Sequence, residues 1–157
     1  MAISERFAAT LFPSGVVGSL PRPLMVKEML PDIPGPESAA AARSPQMDAA
    51  GRYAIAVQER AGIDLISDGE WRRHQYTHII ADIATGFSAD RRTEPARWGI
   101  SITEKMEVAK PGLIADEARF LVAATDRMTK VCVPSPYLLG VRLWEEEVSA
   151  RAYPTRD

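Results

Sequence analysis

Four charged side chains crowd one short turn: Asp68, Glu70, Arg72 and Arg73 follow the apolar run of Ile63, Leu65 and Ile66. Asp68-Gly69 is a turn signal, because glycine accepts the positive φ that other residues resist. In a parallel α/β protein, ligands sit outside the carboxyl ends of the strands. Carboxylates and guanidiniums gathered there can hold a ligand by charge-assisted hydrogen bonds. The competing reading is a solvated turn with a surface ion-pair cluster. A second stretch argues for the site: Val16-Val17-Gly18-Ser19-Leu20-Pro21-Arg22-Pro23. It is again a short β-branched strand, followed by small residues and a proline-punctuated exit. Gly18 lets another group approach the backbone, Ser19 offers a hydroxyl, and Pro21 and Pro23 bias Leu20 and Arg22 to extended conformations.

Two histidines stand close by. Glu70, His74 and His78 have i, i+4, i+8 spacing, which would put three metal ligands on one helix face. The metalloprotease pattern requires glutamate at position 75, where Gln75 stands, so that reading fails. His74 and His78 are read as helix-surface residues, and no metal ligand is assigned. Cys132, inside an apolar strand, reads as a small buried hydrophobe.

The elements that position these residues follow from the apolar pattern. The chain has 157 residues, 46% apolar and 25% charged, which suits one globular domain spanning residues 1–157. A net charge of −2 gives no electrostatic case for nucleic acid or an anionic membrane surface. Fifteen Arg and four Lys carry the positive charge, a bias suited to carboxylate or phosphate contacts but owed in larger part to genomic composition. One cysteine excludes an internal disulfide, no apolar run reaches membrane-spanning length, and residues 1–10 do not read as a signal peptide. A cytoplasmic location is the expectation.

The first strand is expected at Gly15–Ser19. Residues 20–43 form a long, proline-rich connection in which Leu24–Leu30 allows two helical turns. Ser44-Pro45 reads as an N-cap followed by proline at the first helical position. Met47, Ala50, Tyr53, Ala54, Val57 and Ala61 then recur at helical spacing up to Gly62. The second strand is expected at Asp64–Ser67. Tyr76, Ile79, Ile80 and Ile83 mark another helical face closed by Gly86, and residues 87–98 are polar and charged. Residues 99–110 alternate as a half-exposed strand or hairpin arm, residues 115–128 as a helix, and 130–133 as a third buried strand. A short helix follows Pro134-Ser135-Pro136-Tyr137, and residues 145–157 are expected to fray. Strands separated by helices imply parallel pairing with right-handed crossovers.

Together, Gly18-Ser19-Leu20-Pro21, Asp68-Gly69-Glu70 and the third strand exit Val133-Pro134-Ser135-Pro136-Tyr137-Leu138 resemble the cobalamin-independent methionine synthase family. The likeness is to its catalytic C-terminal barrel and its shorter stand-alone relatives. The resemblance implies a (β/α)8 TIM barrel fold, of which this α/β chain would supply the first three or so βα units. Such a barrel takes ~250 residues, so a partial barrel is expected, completed by a partner chain or by self-association. The implied activity is methyl transfer to the thiol of homocysteine. Gly18, Ser19, Asp68 and Glu70 would be the substrate-binding residues, with Ser19 and its backbone facing the amino acid's carboxylate and Glu70 its ammonium. The competing reading has Ser19 capping a helix and Glu70 paired with Arg72 or Arg73.

Arg97, Trp98 and Ser135 are candidates for contact with the methyl donor, a folate or another molecule. Trp71 and Trp98 could stack on a pterin or cover the core. The resemblance also implies zinc holding the thiol, but the family's zinc ligands lie beyond the region matched and none can be carried onto this chain. The chain would therefore not be active alone. Two alternatives stay open: a non-catalytic half-barrel assembly module, and a related thiol alkyltransferase such as an epoxide–coenzyme M transferase. The expected partners are a small-molecule thiol and a second copy or complementary half-barrel chain.

Overall fold

Ser44 accepts a hydrogen bond from the Met47 amide at 3.2 Å, and Pro45 opens the helix that follows. This satisfies an amide that a helix N-terminus leaves without a partner. In the computed structural model, residues 11–30, 40–91 and 98–156 are described, without the side chains of 89–91 and 98. The helices are α1 (Leu24–Met29), α2 (Pro45–Arg60), α3 (Ile79–Ile83), α4 (Leu113–Ala124), α5 (Pro136–Leu143) and α6 (Glu146–Ser149). The strands are β1 (Leu65–Ile66), β2 (Phe87–Arg91), β3 (Trp98–Ile102) and β4 (Met128–Thr129). The chain divides into two compact units. One comprises Met1–Met29, Arg43–Arg72 and Gly112–Cys132; the other comprises Leu30–Ala42, Arg73–Pro111 and Val133–Asp157.

The first unit carries the expected parallel arrangement. Gly15 bridges Leu65 in parallel, and β1 pairs with β4 in parallel, Leu65 opposite Met128 and Ile66 opposite Thr129. The strands thus lie side by side in chain order, with α2 between β1 and the segment at Gly15 and α4 between β1 and β4. The first strand is shorter than expected, a single bridge at Gly15. It is pinned at its start, where the Ser14 amide and hydroxyl donate to Asp64 Oδ2 at 2.9 and 2.8 Å. Those bonds hold the Asp64 carboxyl below the usual carboxylate range.

Ile55, Ile66 and Leu121 form the core of this unit, with Ile63, Phe120, Ala124 and Val131 packed around it. The buried face of α2 is rotated from the expected one. Met47, Ala50, Gly51, Ala54, Ile55 and Gln58 are inside, whereas Tyr53 is 62% and Val57 44% exposed. Gly51 explains the rotation: a Cβ there would lie 3.1 Å from the Phe120 ring, so α2 meets α4 along its smallest side chain.

The second unit is built on a hairpin. β2 and β3 are antiparallel, from Phe87 opposite Ile102 to Arg91 opposite Trp98. The part of residues 87–98 that is described, polar and charged in sequence, is therefore strand. Ile100, Ile102 and Leu143 form its core, joined by Ile80, Phe87, Leu139, Trp144 and Tyr153. Residues 145–156, expected to fray, are held in place. The Ser149 hydroxyl donates to the Ile102 carbonyl at 2.6 Å, Ser101 donates to Glu145 Oε1 at 2.6 Å, and Trp144 Nε1 donates to the Tyr153 carbonyl at 3.0 Å. Ser149 and Ala152 are buried, so hydrogen bonding and packing both oppose release of this segment. No helix among the described residues is long and apolar enough to cross a membrane.

Candidate functional site

Glu70 is the one non-glycine residue with positive φ among those described, at +56°. That conformation costs an L-residue about 1–2 kcal/mol, and such strain concentrates at functional sites. Gly69 precedes it at φ +75°, so the chain makes two successive left-handed residues immediately beyond β1. The Glu70 side chain is 5% exposed.

Three side chains hold it. Ser19 Oγ donates to Glu70 Oε2 at 2.7 Å. Asp68 Oδ1 accepts from the Glu70 amide at 3.0 Å. Arg22 Nη2 donates to the Glu70 carbonyl at 2.9 Å. The two strand exits are also stitched through the main chain: the Leu20 amide donates to the Gly69 carbonyl at 3.1 Å, and Trp71 Nε1 donates to the Leu20 carbonyl at 3.2 Å. Gly18, Ser19, Asp68 and Glu70 thus come together as expected from sequence, and Arg22 joins them. The backbone at Gly18 is open, since a Cβ placed there would meet nothing within 4 Å. Asp68 Oδ2 is buried with no hydrogen-bond partner among the described residues. Burial lowers the pKa of Arg22, with Glu70 and Asp68 pulling the other way; its guanidinium stays charged in water-accessible pH ranges.

Gln58 is a residue that sequence reasoning missed. It is 2% exposed on α2. Its amide nitrogen donates to the carbonyls of Ser67 at 2.7 Å and Ala54 at 2.9 Å, and its oxygen accepts from the Ser67 amide at 3.1 Å. Ser67 Oγ in turn accepts from the Gly69 amide at 3.2 Å. One buried side chain therefore fixes the end of β1, and through it the turn that carries Asp68 and Glu70. Gln58→Ala strands the Ser67 amide and carbonyl in the interior, and each unsatisfied group costs ~1–3 kcal/mol. A loss of about 2–4 kcal/mol in unfolding free energy is expected from urea denaturation; a loss under ~0.5 kcal/mol would mean that water replaces the amide freely.

Arg72 engages α2 and α4. Its Nη2 reaches Asp48 Oδ1 at 2.7 Å and its guanidinium lies 4.1 Å from the Phe120 ring centroid. Trp71 stacks on Tyr53 with ring centroids 6.3 Å apart and is buried, so it covers the core. Ser135, in the second unit, caps α5 by accepting from the Leu138 amide at 3.1 Å. Trp98 lies on β3 in the second unit, its side chain undescribed, and Arg97 falls outside the described residues.

His74 and His78 also belong to the second unit and stack at 5.9 Å between centroids. They were expected on a helix surface. Instead they precede α3 in turns, and His78 is 3% exposed. Burial, with His74 nearby, pushes His78 down to about 4, so its ring is neutral at pH 7. No group of three His, Cys, Asp or Glu among the described residues could hold a metal. An apolar cavity of about 360 Å³ in the second unit is lined by residues including Ile80, Phe87, Ile102, Leu139, Trp144 and Tyr153, with no carboxylate in its wall to receive an ammonium group.

The family model for the cobalamin-independent synthase catalytic domain matches residues 12–132. The chain is 30% identical over 142 residues to methionine synthase of Saccharolobus solfataricus and 29% over 139 residues to that of Sulfurisphaera tokodaii. Each alignment covers 83% of this chain and 40% of the relative, so the chain spans about two fifths of their length. A solved B12-independent methionine synthase from Shewanella sp. W3-18-1, in complex with selenomethionine, shares its fold. The TM-score is 0.64 at 23% identity, over 94% of this chain and 43% of that one. With the first two strand-end motifs, at Gly18-Ser19 and Asp68-Gly69-Glu70, lying inside a match that spans residues 12–132, the chain belongs to the cobalamin-independent methionine synthase family.

Proposed function

We propose that this chain supplies the amino-acid-binding part of a methionine-synthase-like methyltransferase, whose substrate is homocysteine and whose product is its S-methylated form. The observation that carries this reading is the 2.7 Å bond between Ser19 and the buried carboxylate of a left-handed Glu70. An α-amino acid is a zwitterion, so its site must offer a carboxylate to the ammonium and donors to the carboxylate. Here the two groups satisfy each other. An incoming amino acid exchanges that bond for two: its ammonium takes Glu70, and its carboxylate takes the freed Ser19 hydroxyl beside the open backbone at Gly18. Asp68 Oδ2, buried and without a hydrogen-bond partner among the described residues, is a second acceptor for the ammonium.

Zinc, which the family resemblance implies, does not fit the residues at hand, because the described residues hold no three-ligand group. Thiol activation is therefore not assigned to the described residues; a complementary half-barrel or a second copy is the proposed source. Among the described residues no further strand pairs with the parallel strands of the first unit, and unpaired strand edges invite such pairing. The methyl donor is a folate or another molecule, with Arg97, Trp98 and Ser135 as candidate contacts.

Calorimetry with homocysteine and with coenzyme M tests the substrate class. The account expects homocysteine to bind at least about tenfold more tightly, because the thiol sulfonate brings no ammonium for Glu70. The reverse preference would overturn it in favour of a thiol–sulfonate alkyltransferase.

A further inference from the structure

We propose that Arg22 is a positioning residue, which presets Glu70 for the ligand's ammonium by clamping the Glu70 main chain rather than by touching the ligand. The inference rests on the amino-acid cradle described above and assigns a role within it.

The left-handed backbone of Glu70 is the starting point. Glutamate has no local side-chain bond that favours positive φ, so the surroundings must impose it. Both main-chain polar groups of Glu70 are taken by side chains. Asp68 Oδ1 holds the amide at 3.0 Å, and Arg22 Nη2 holds the carbonyl at 2.9 Å. Asp68 lies two residues away on the same turn, and its bond is local. Arg22 comes from the other strand exit, 48 residues earlier, and so ties the conformation of residue 70 to the segment that carries Ser19.

Arg22 is itself restrained. It stands between Pro21 and Pro23, which limit its own backbone and that of Leu20. The chain enters α1 directly afterwards, where the Val26 amide donates to the Pro23 carbonyl at 3.0 Å. The guanidinium therefore projects from a stiff segment, and its planar fork loses little freedom per bond made. Without it, the carbonyl of residue 70 loses its partner and the turn can relax to negative φ. That rotation swings the carboxylate out of the position where Ser19 now meets it.

The test compares homocysteine with 3-aminopropane-1-thiol, which keeps the ammonium and the thiol but lacks the carboxylate. Calorimetry on Arg22→Ala should show both ligands weakened by the same factor, about tenfold, the population cost of a left-handed glutamate that nothing holds. Arg22→Lys, with one cationic donor able to reach the carbonyl, should restore part of the loss. In a Glu70→Gln background, Arg22→Ala should cost little more, because both changes act on one group. Independently of any ligand, the Glu70 amide should exchange faster with solvent in Arg22→Ala. Should the alanine variant fail to fold, Arg22→Gln carries the same comparison.

A loss confined to homocysteine overturns the proposal and makes Arg22 a direct contact of the ligand carboxylate. No loss with either ligand overturns it too. If the unaltered protein binds neither ligand, the cradle reading fails and this proposal falls with it. Binding of both by the unaltered protein with an unaffected Arg22→Ala rejects the Arg22 role alone.

Discussion

Glu70→Gln should weaken homocysteine binding by about ten- to a hundredfold, measured by calorimetry on the folded variant. The size follows from the interaction removed. A hydrogen bond to a charged group contributes ~1.5–3 kcal/mol, and each 1.4 kcal/mol is a factor of about ten. Glutamine keeps the shape and one acceptor oxygen, so the ammonium loses charge assistance rather than all contact. The fold should survive, because the bonds from Asp68 and Arg22 engage main-chain atoms of residue 70 that the substitution leaves in place. An unchanged unfolding midpoint alongside the lost affinity is therefore part of the expectation. An unchanged affinity would show that the carboxylate faces something other than the ligand.

Gly86→Ala should be the most damaging single-methyl change in the second unit. Gly86 has φ +93°, and a Cβ there would lie 2.8 Å from the Lys105 carbonyl oxygen and 2.9 Å from that of Glu104. These are backbone atoms, held where they are because the amides of Thr103 and Glu104 both donate to the Gly86 carbonyl, at 2.9 and 3.2 Å. A flexible side chain could swing aside; this backbone cannot do so without unpairing the end of the hairpin. Positive φ and overpacking each cost ~1–3 kcal/mol, so a loss of about 2–4 kcal/mol is expected in urea unfolding followed by tryptophan fluorescence. A neutral result would mean that the turn at Gly86 has a second, equally good conformation.

How much of this was legible from the residues alone differs element by element. The helix from Pro45 was readable to within a residue, because cap, proline and apolar spacing agreed. Its buried face was not. Spacing alone permits a face through Tyr53 and Val57, and the choice of Ile55 and Gln58 follows from how closely Gly51 lets Phe120 approach, a tertiary fact. The signal for Gln58 was nonetheless present: it falls at i+4 from Ala54 on a face otherwise made of Met47 and Ala50, where a polar residue must be serving a buried partner. Residues 87–91 carry too few apolar side chains to read as a strand; pairing with β3, not intrinsic preference, makes them one. The ordered segment after Leu143 depends on Ser149, a residue whose type gives no hint that the Ile102 carbonyl awaits it.

The site shows the same division. The motifs at the two strand exits marked Ser19 and Glu70 in advance, and the structure joins them. The left-handed conformation of Glu70 could not be read, since residue type directs that expectation to Gly69. The clamp by Arg22 was hidden for the same reason, because a bond to a main-chain carbonyl leaves no trace in side-chain complementarity. His78 was misplaced because its i+4 spacing from His74 suggested a helix that begins only at Ile79.

A crystal structure of the chain soaked with selenomethionine, located by selenium anomalous scattering, tests the cradle most directly. The account predicts the ligand's ammonium within hydrogen-bond distance of a Glu70 carboxylate oxygen, its carboxylate at Ser19 Oγ beside Gly18, and the Ser19–Glu70 bond broken. Selenium found elsewhere, or a ligand bound while Ser19 still donates to Glu70, would contradict it.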